Sequence, residues 1–214
     1  MKVLNLYACL GGNRLKWDEV DNQLSVTAVE LDPELAKLYQ ERFPNDKVII
    51  EDAHSYLLNN YKDFDFIWSS PPCPTHSRAR FWGHGDSNPV YPDMSLYEEV
   101  LLLEHYFKGL YCVENVIPYY TPLLHPQKRD RHLYWTNYAI PYNINARHFD
   151  GMAQTENEFK KLCEFHEYDF RQYKGSQRID KIARNLVDYE AGKAIFKQAY
   201  NLHKQSTVEQ LELL

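Results

Sequence analysis

Val3-Leu4-Asn5-Leu6-Tyr7-Ala8-Cys9-Leu10-Gly11-Gly12 carries an apolar, strand-like run into a pair of glycines. Glycine after a strand lets the backbone approach a ligand closely, and it serves equally well in a plain tight turn. The residues that follow set the fold. Ser25–Glu30 reads as a second strand, and Pro33 at a first-turn position opens a helix to about Arg42. Lys47–Ile50, Phe64–Trp68 and Leu110–Val113 read as further strands, with helical spacing from Leu96 to Phe107. Strands rich in β-branched and aromatic residues, alternating with helices, predict an α/β Rossmann-like fold: a mostly parallel central sheet covered by helices on both faces. Such a sheet binds ligands beyond the carboxyl ends of its strands.

Length and composition agree with one ordinary domain spanning 1–214. The chain has 214 residues, 44% of them hydrophobic and 25% charged, which excludes disordered and disulfide-scaffold classes. Beyond Asn137 the pattern weakens: residues 142–180 are polar and irregular, with a helix predicted at 155–165, and a further helix is predicted at 188–204. There is no apolar run of membrane-spanning length, and residues 1–6 lack the charge and apolar pattern of a signal peptide. The four cysteines are scattered, so free thiols in a reducing cytoplasm are expected. The net charge of -6 is unevenly spread: residues 171–204 hold eight Lys/Arg and three Asp/Glu, whereas 1–170 carry 16 against 25. That basic segment is either a phosphate-facing surface or a solvated helix face.

Carboxylates stand at or just past the ends of the second and third strands. Glu30 is placed to accept hydrogen bonds from ribose hydroxyls, and Asp52 to reach an adenine amino group, which together point to an adenosine-containing cofactor. The G-x-G-x-x-G spacing of dinucleotide sites is absent. After the fourth strand comes Ser69-Ser70-Pro71-Pro72-Cys73-Pro74-Thr75-His76-Ser77-Arg78-Ala79-Arg80. Two prolines stiffen the backbone before Cys73 and present its thiol at the binding edge, and His76, Arg78 and Arg80 lie near enough in sequence to favour a thiolate. A nucleophile fits this setting better than an inert core cysteine. A metal reading of Cys73-x-x-His76 offers only two ligands, and no metal site is expected. Glu114 ends the fifth strand, where it either caps a structural element or faces the pocket of Cys73 as a proton donor. In Gln127-Lys128-Arg129-Asp130-Arg131, strand alternation puts Gln127, Arg129 and Arg131 on one face, either to orient a carboxylate or phosphate or as a solvated patch.

Taken in order, these blocks resemble the DNA (cytosine-5) methyltransferase family. The resemblance lies in the opening strand with its Gly-Gly turn, Glu30, Asp52, Pro71-Pro72-Cys73 with Ser77 four residues on, Glu114-Asn115-Val116, Gln127-x-Arg129-x-Arg131, and Arg184-Asn185-Leu186-Val187. They cover about residues 3–137 and 183–200. The resemblance implies an S-adenosylmethionine-dependent methyltransferase fold with S-adenosyl-L-methionine as cofactor. Tyr7, Ala8, Leu10, Gly11 and Gly12 would surround its methionine part. Glu30, Leu31, Asp52 and Ala53 would hold the ribose and adenine, with Pro72, Asn185 and Val187 closing the pocket.

It further implies methyl transfer to C5 of cytosine in DNA through a covalent bond between Cys73 and C6. Glu114 would act at N3, Arg131 would anchor the base, and Arg129 would hold Glu114. Ser77, Arg78, Arg80, Asn115 and Gln127 would contact the substrate. The target cytosine is flipped from the duplex, and the loop from Pro74 to Pro92, with Gly83 and Gly85, would close over it. The same chemistry on tRNA, and a non-catalytic relative that only binds nucleic acid or cofactor, are the alternatives.

Three departures from the family pattern stand out. Cys9 occupies the place of a glycine, and Arg184 and Asp188 replace the usual Gly and Pro of the last block. Only the short segment 138–182 stands where relatives carry a target-recognition region. Sequence specificity would then be short, absent, or borrowed from a partner or second subunit, as in a compact phage-like or restriction–modification enzyme.

Overall fold

The computed structural model describes residues 1–81, 90–144 and 155–212. Seven strands form one sheet: β1 (Lys2–Leu6), β2 (Ser25–Glu30), β3 (Lys47–Ile50), β4 (Phe66–Ser69), β5 (Leu110–Val116), β6 (Gln127–Arg129) and β7 (His132–Thr136). Their spatial order is β3-β2-β1-β4-β5-β7-β6. The first five are parallel, and β7 and β6 add an antiparallel edge. The expected α/β architecture is therefore present. The chain winds outward from β1 through β2 to β3, then restarts at β4 on the other side of β1. The carboxyl ends of β1 and β4 flank this topological switch, where such sheets open a crevice for ligands.

Alternation along the strands divides the core. Val3, Val26, Phe66, Trp68, Cys112 and Tyr134 point to one face and pack against α6 (Tyr189–Glu212). Leu4, Leu6, Val29, Ile67, Tyr111 and Val113 point to the other, under α2 (Ala53–Asn60) and α3 (Ser95–Tyr106). The helix α1 (Pro33–Arg42) packs Tyr39 on Ala28, beside Phe43 just past its end, on the α6 side. It is capped by Asp32, whose side chain accepts from the amides of Glu34 and Leu35.

Strand and helix positions follow the sequence pattern, with informative differences. β5 continues past Val113 to Val116 because β7 pairs antiparallel with it from Cys112 to Val116. Glu114 thus lies inside the strand and not at its end. The helix α2 was not foreseen; its signal was Asp52, whose carboxylate caps it by accepting from Ser55 N. Residues 127–131 are not one strand. Asp130 has a φ of 48° and turns the chain with Arg131 between β6 and β7, so alternation fails after Arg129.

The segment after Ile144 is described again from Thr155. α4 (Glu156–Phe165) and α5 (Ile179–Asn185) place Phe159, Leu162, Phe170, Tyr173 and Ile182 against Leu10, Leu35 and Leu38. The described part of this segment is thus a cover for α1 and the β1 loop. Among the described residues no helix is long and apolar enough to cross a membrane.

The loop after β1 is anchored by a buried ion pair. Arg14 donates from Nε and Nη2 to both carboxylate oxygens of Asp46, at 2.9 and 3.0 Å, and Tyr39 Oη donates to Asp46 at 2.8 Å. Both charged side chains are almost fully buried. Removing Asp46 strips the buried guanidinium of its two-point partner and leaves it only the exposed Asp18, 2.9 Å from Nη2, in a medium that solvates charge poorly. Asp46→Ala should therefore cost about 3–5 kcal/mol, read as a lower urea midpoint at unchanged denaturant slope.

Candidate active site

A cavity of about 1380 Å³ opens at the switch point. Its lining begins with Tyr7, Ala8, Cys9 and Gly12 after β1, Glu30 and Leu31 at the end of β2, and Asp52 and Ala53 after β3. Ser70 to Pro74 follow β4, and Glu114 and Asn115 come from β5. The wall is completed by Ser77, Arg78, Arg131, His132, Lys181, Arg184, Asn185 and Val187. Parallel strands align these ends on one edge, so residues more than a hundred positions apart share one space.

At one end the donor set suits an adenosine. Glu30 is buried, and its oxygens accept from the amides of Cys9 and Asp32 at 2.8 and 2.9 Å. Each oxygen keeps a second lone pair for a hydroxyl. Burial raises the Glu30 pKa, opposed by those amides. Leu31, exposed, with Ala53 and Pro72 supplies apolar wall. The Cys9 thiol, where the family pattern has glycine, is pushed up to about 12 by burial and by the nearby Glu30. It is inert at neutral pH.

The turn after β1 is shaped by close approach. Gly11 has a φ of 67° and packs on the rings of Phe43 and Tyr39, where a Cβ would lie 2.4 and 2.9 Å from ring carbons. A Cβ on Gly12 would meet the Val187 carbonyl oxygen at 2.5 Å, so glycine here lets the α5–α6 connection lie across the cavity. Tyr7, with a φ of 54°, donates its hydroxyl to Glu99 Oε1 at 2.6 Å. Glu99, on the buried face of α3, also accepts from Ser69 Oγ at 2.5 Å and faces His54 Nδ1 at 3.2 Å. Sequence reasoning missed Glu99, though a carboxylate among the buried Leu96, Tyr97, Val100 and Leu103 was a legible signal.

At the other end Cys73 and Glu114 share the cavity. Burial raises the Glu114 carboxyl to about 7, with a hydrogen bond from Ser70 opposing. Ser70 Oγ in turn accepts from Trp68 Nε1 at 2.9 Å. His132 Nε2, also unforeseen, stands 3.5 Å from Glu114 Oε1. Asn115 Nδ2 donates to the Pro71 carbonyl at 2.9 Å and so ties β5 to the proline-stiffened loop. The Cys73 thiol is raised by burial and by Glu114.

Several expected site residues lie elsewhere. Leu10 is fully buried under α1 and α5, and Gly11 packs on α1; neither lines the cavity. Arg129 does not hold Glu114: its guanidinium donates to the carbonyls of Lys128, Ile140 and Pro141 and lies over the Tyr142 ring. Gln127 binds Thr136, Tyr138 and Ile140. The reason is local, since β6 is an edge strand and both side chains fasten the following chain to it. Arg131, by contrast, reaches the cavity from the turn. His76 is buried, bonded to the Tyr120 hydroxyl at 2.6 Å, and its pKa is lowered by burial, so it is a neutral ring and no partner for a thiolate. The Arg80 side chain, Gly83 and Gly85 lie outside the described residues.

Residues 1–87 match the family described as C-5 cytosine-specific DNA methylase. Over 81 residues the chain is 32% identical to the type II methyltransferase M.Bsp6I of Bacillus sp. (strain RFL6). The first 87 residues are thus similar to the C-5 cytosine-specific DNA methylase family. The M.Bsp6I match covers 38% of this chain and only 25% of that relative. Among solved structures, the DNMT2 mutant of Spodoptera frugiperda aligns at 21% identity and a TM-score of 0.38, over 54% of this chain and 35% of that one. The Escherichia coli putative methyltransferase yhhF aligns at 16% identity and 0.41, over 63% and 73%. The methylase match contains Cys73, whereas Glu114 and the α5 wall lie beyond it.

A carboxyl near 7 in the folded protein and near 4.5 when solvated binds more protons in the native state between those values. That contribution to stability is full below about pH 4.5 and is lost as pH rises through about 7. The loss should reach about 3 kcal/mol. Glu114→Gln, which cannot ionise, should flatten this part of the stability–pH curve, measured by urea unfolding from pH 4 to 8.

Proposed function

We propose that this protein transfers a methyl group from S-adenosyl-L-methionine to C5 of cytosine in DNA. The observation that carries the reading is one cavity with the Glu30 and Asp52 carboxylates at one end and Cys73 beside Glu114 at the other. Glu30, Leu31, Asp52 and Ala53 would hold the adenosine of the cofactor, with Gly12, Asn185 and Val187 around its other end. When bound, that cofactor supplies a methyl group on a positively charged sulfur.

Cytosine C5 is a poor nucleophile until electron density is pushed onto it. The Cys73 sulfur, as thiolate, bonds to C6, and the C5–C6 π electrons move towards C5 as Glu114 gives its proton to N3. A carboxyl with a pKa of about 7 is suited to that exchange at neutral pH. After C5 has gained its substituent, loss of the C5 proton restores the double bond and breaks the C6–S bond, returning Cys73. Arg131 holds the base edge and Arg78 a neighbouring phosphate. Ring faces are inaccessible inside a duplex, so the cytosine is turned out into the cavity. With little recognition surface described between 138 and 182, sequence choice would come from few contacts or from a second protein or subunit.

Incubation with duplex DNA and methyl-labelled cofactor should label the DNA, with bisulfite sequencing locating the product at cytosine C5. Cys73→Ala should reduce transfer at least ~1000-fold. Labelling that survives this change removes the proposed nucleophile, and labelling of tRNA in preference to DNA reassigns the substrate.

A further inference from the structure

The cavity asks for a reactive thiol in a place that opposes one. Burial and the adjacent Glu114 charge both raise the Cys73 pKa, and a thiol so placed is a weak nucleophile. The cations nearest in sequence do not resolve this. His76 is neutral and turned to Tyr120, and Arg78 is exposed and donates its Nε to the Pro118 carbonyl at 2.9 Å.

The α5 helix brings charge from more than a hundred residues away. Lys181, Arg184 and Asn185 stand three and four positions apart, the spacing of one helical face, and all three line the cavity that holds Cys73. Ile182 and Ala183 on the same helix are buried and fix its rotation. We propose that Lys181 and Arg184 are positioning residues whose positive charge, presented from the α5 wall, makes Cys73 competent as a nucleophile.

The electrostatics agree with the geometry. Lys181 and Arg184 act to lower the thiol pKa, against desolvation and Glu114. The charged or titratable groups that share the cavity lining with the thiol, among the described residues, are Glu114 from β5, His132 from β7, Asp130 and Arg131 from the β6–β7 turn, Arg78 from its own loop, Lys181 and Arg184 from α5, and Tyr7, Cys9, Glu30, Asp32 and Asp52 from the loops after β1, β2 and β3. Both α5 side chains act through Cys73 and not on the base. The inference rests on Cys73 being the nucleophile of the proposed reaction, and its test needs neither DNA nor cofactor.

The full chain is alkylated with iodoacetamide from pH 6 to 10, and modification of Cys73 is followed by peptide mass spectrometry, apart from Cys9, Cys112 and Cys163. The double variant Lys181→Gln with Arg184→Gln should modify Cys73 roughly tenfold more slowly at pH 8, with its profile displaced to higher pH. Arg184→Lys should stay close to wild type. Raising salt from 0.05 to 1 M should slow the wild type and leave the double variant nearly unchanged. Coincident profiles for wild type and double variant, at matched thermal midpoints, would overturn the inference. If the double variant does not fold, Arg184→Gln and the salt dependence decide in the same way. A displaced profile supports the inference even where methyl transfer is absent, a result that counts against the proposed reaction alone.

Discussion

Glu114 and Cys73 are two groups whose ionisation burial opposes, brought into one cavity from inside β5 and from the loop after β4. Each makes the other's charge more costly, because like charges repel more strongly where burial lowers the dielectric. The surrounding structure exists to hold that conflict in place. Trp68 fixes Ser70, Ser70 hydrogen-bonds to Glu114, and Asn115 donates to the Pro71 carbonyl, so the strand that bears the carboxyl is tied to the loop that bears the thiol. The stiff Pro-Pro backbone limits the freedom of the loop to carry the thiol away from the carboxyl.

The cofactor end is governed by a different constraint, the approach of backbones. The turn after β1 has three residues with positive φ within five positions, Tyr7, Cys9 and Gly11. It keeps this shape because it is pinned from several sides. Arg14 and Asp46 hold its far end, Glu30 accepts the Cys9 amide, and Glu99 holds the Tyr7 hydroxyl. Val187 lies against Gly12, so the C-terminal part of the chain forms part of the site and does not merely follow it. The cavity lining thus runs from Tyr7 to Val187 and draws on segments far apart in sequence.

The economy of the chain appears in the segment after β7. There the described residues from Thr155 to Asn185 pack Phe159, Leu162, Phe170 and Ile182 over Leu10, Leu35 and Leu38. That cover orients α5, and α5 presents Lys181 and Arg184 to the cavity. Core packing and site electrostatics are therefore one structural decision, made by a seven-residue helix with one face apolar and one basic.

The sequence by itself determined the first five strands, the mostly parallel character of the sheet and the candidacy of Glu30, Asp52, Cys73 and Glu114, because these depend on local periodicity and on strand ends that parallel pairing brings together; the spatial order of the strands and the β6–β7 edge came from the tertiary structure. Fold membership was legible for the same reason, in short motifs read in order. Tertiary structure alone decided which cations face the thiol. His76, three residues from Cys73, is turned into a neutral core position, whereas Lys181 and Arg184 arrive across the fold. It also decided that Gln127 and Arg129 fasten a loop, since the left-handed turn at Asp130 breaks the alternation that would have aimed them inward. Side-chain direction at an edge or a turn depends on what packs against it, and that information is spread over the whole chain.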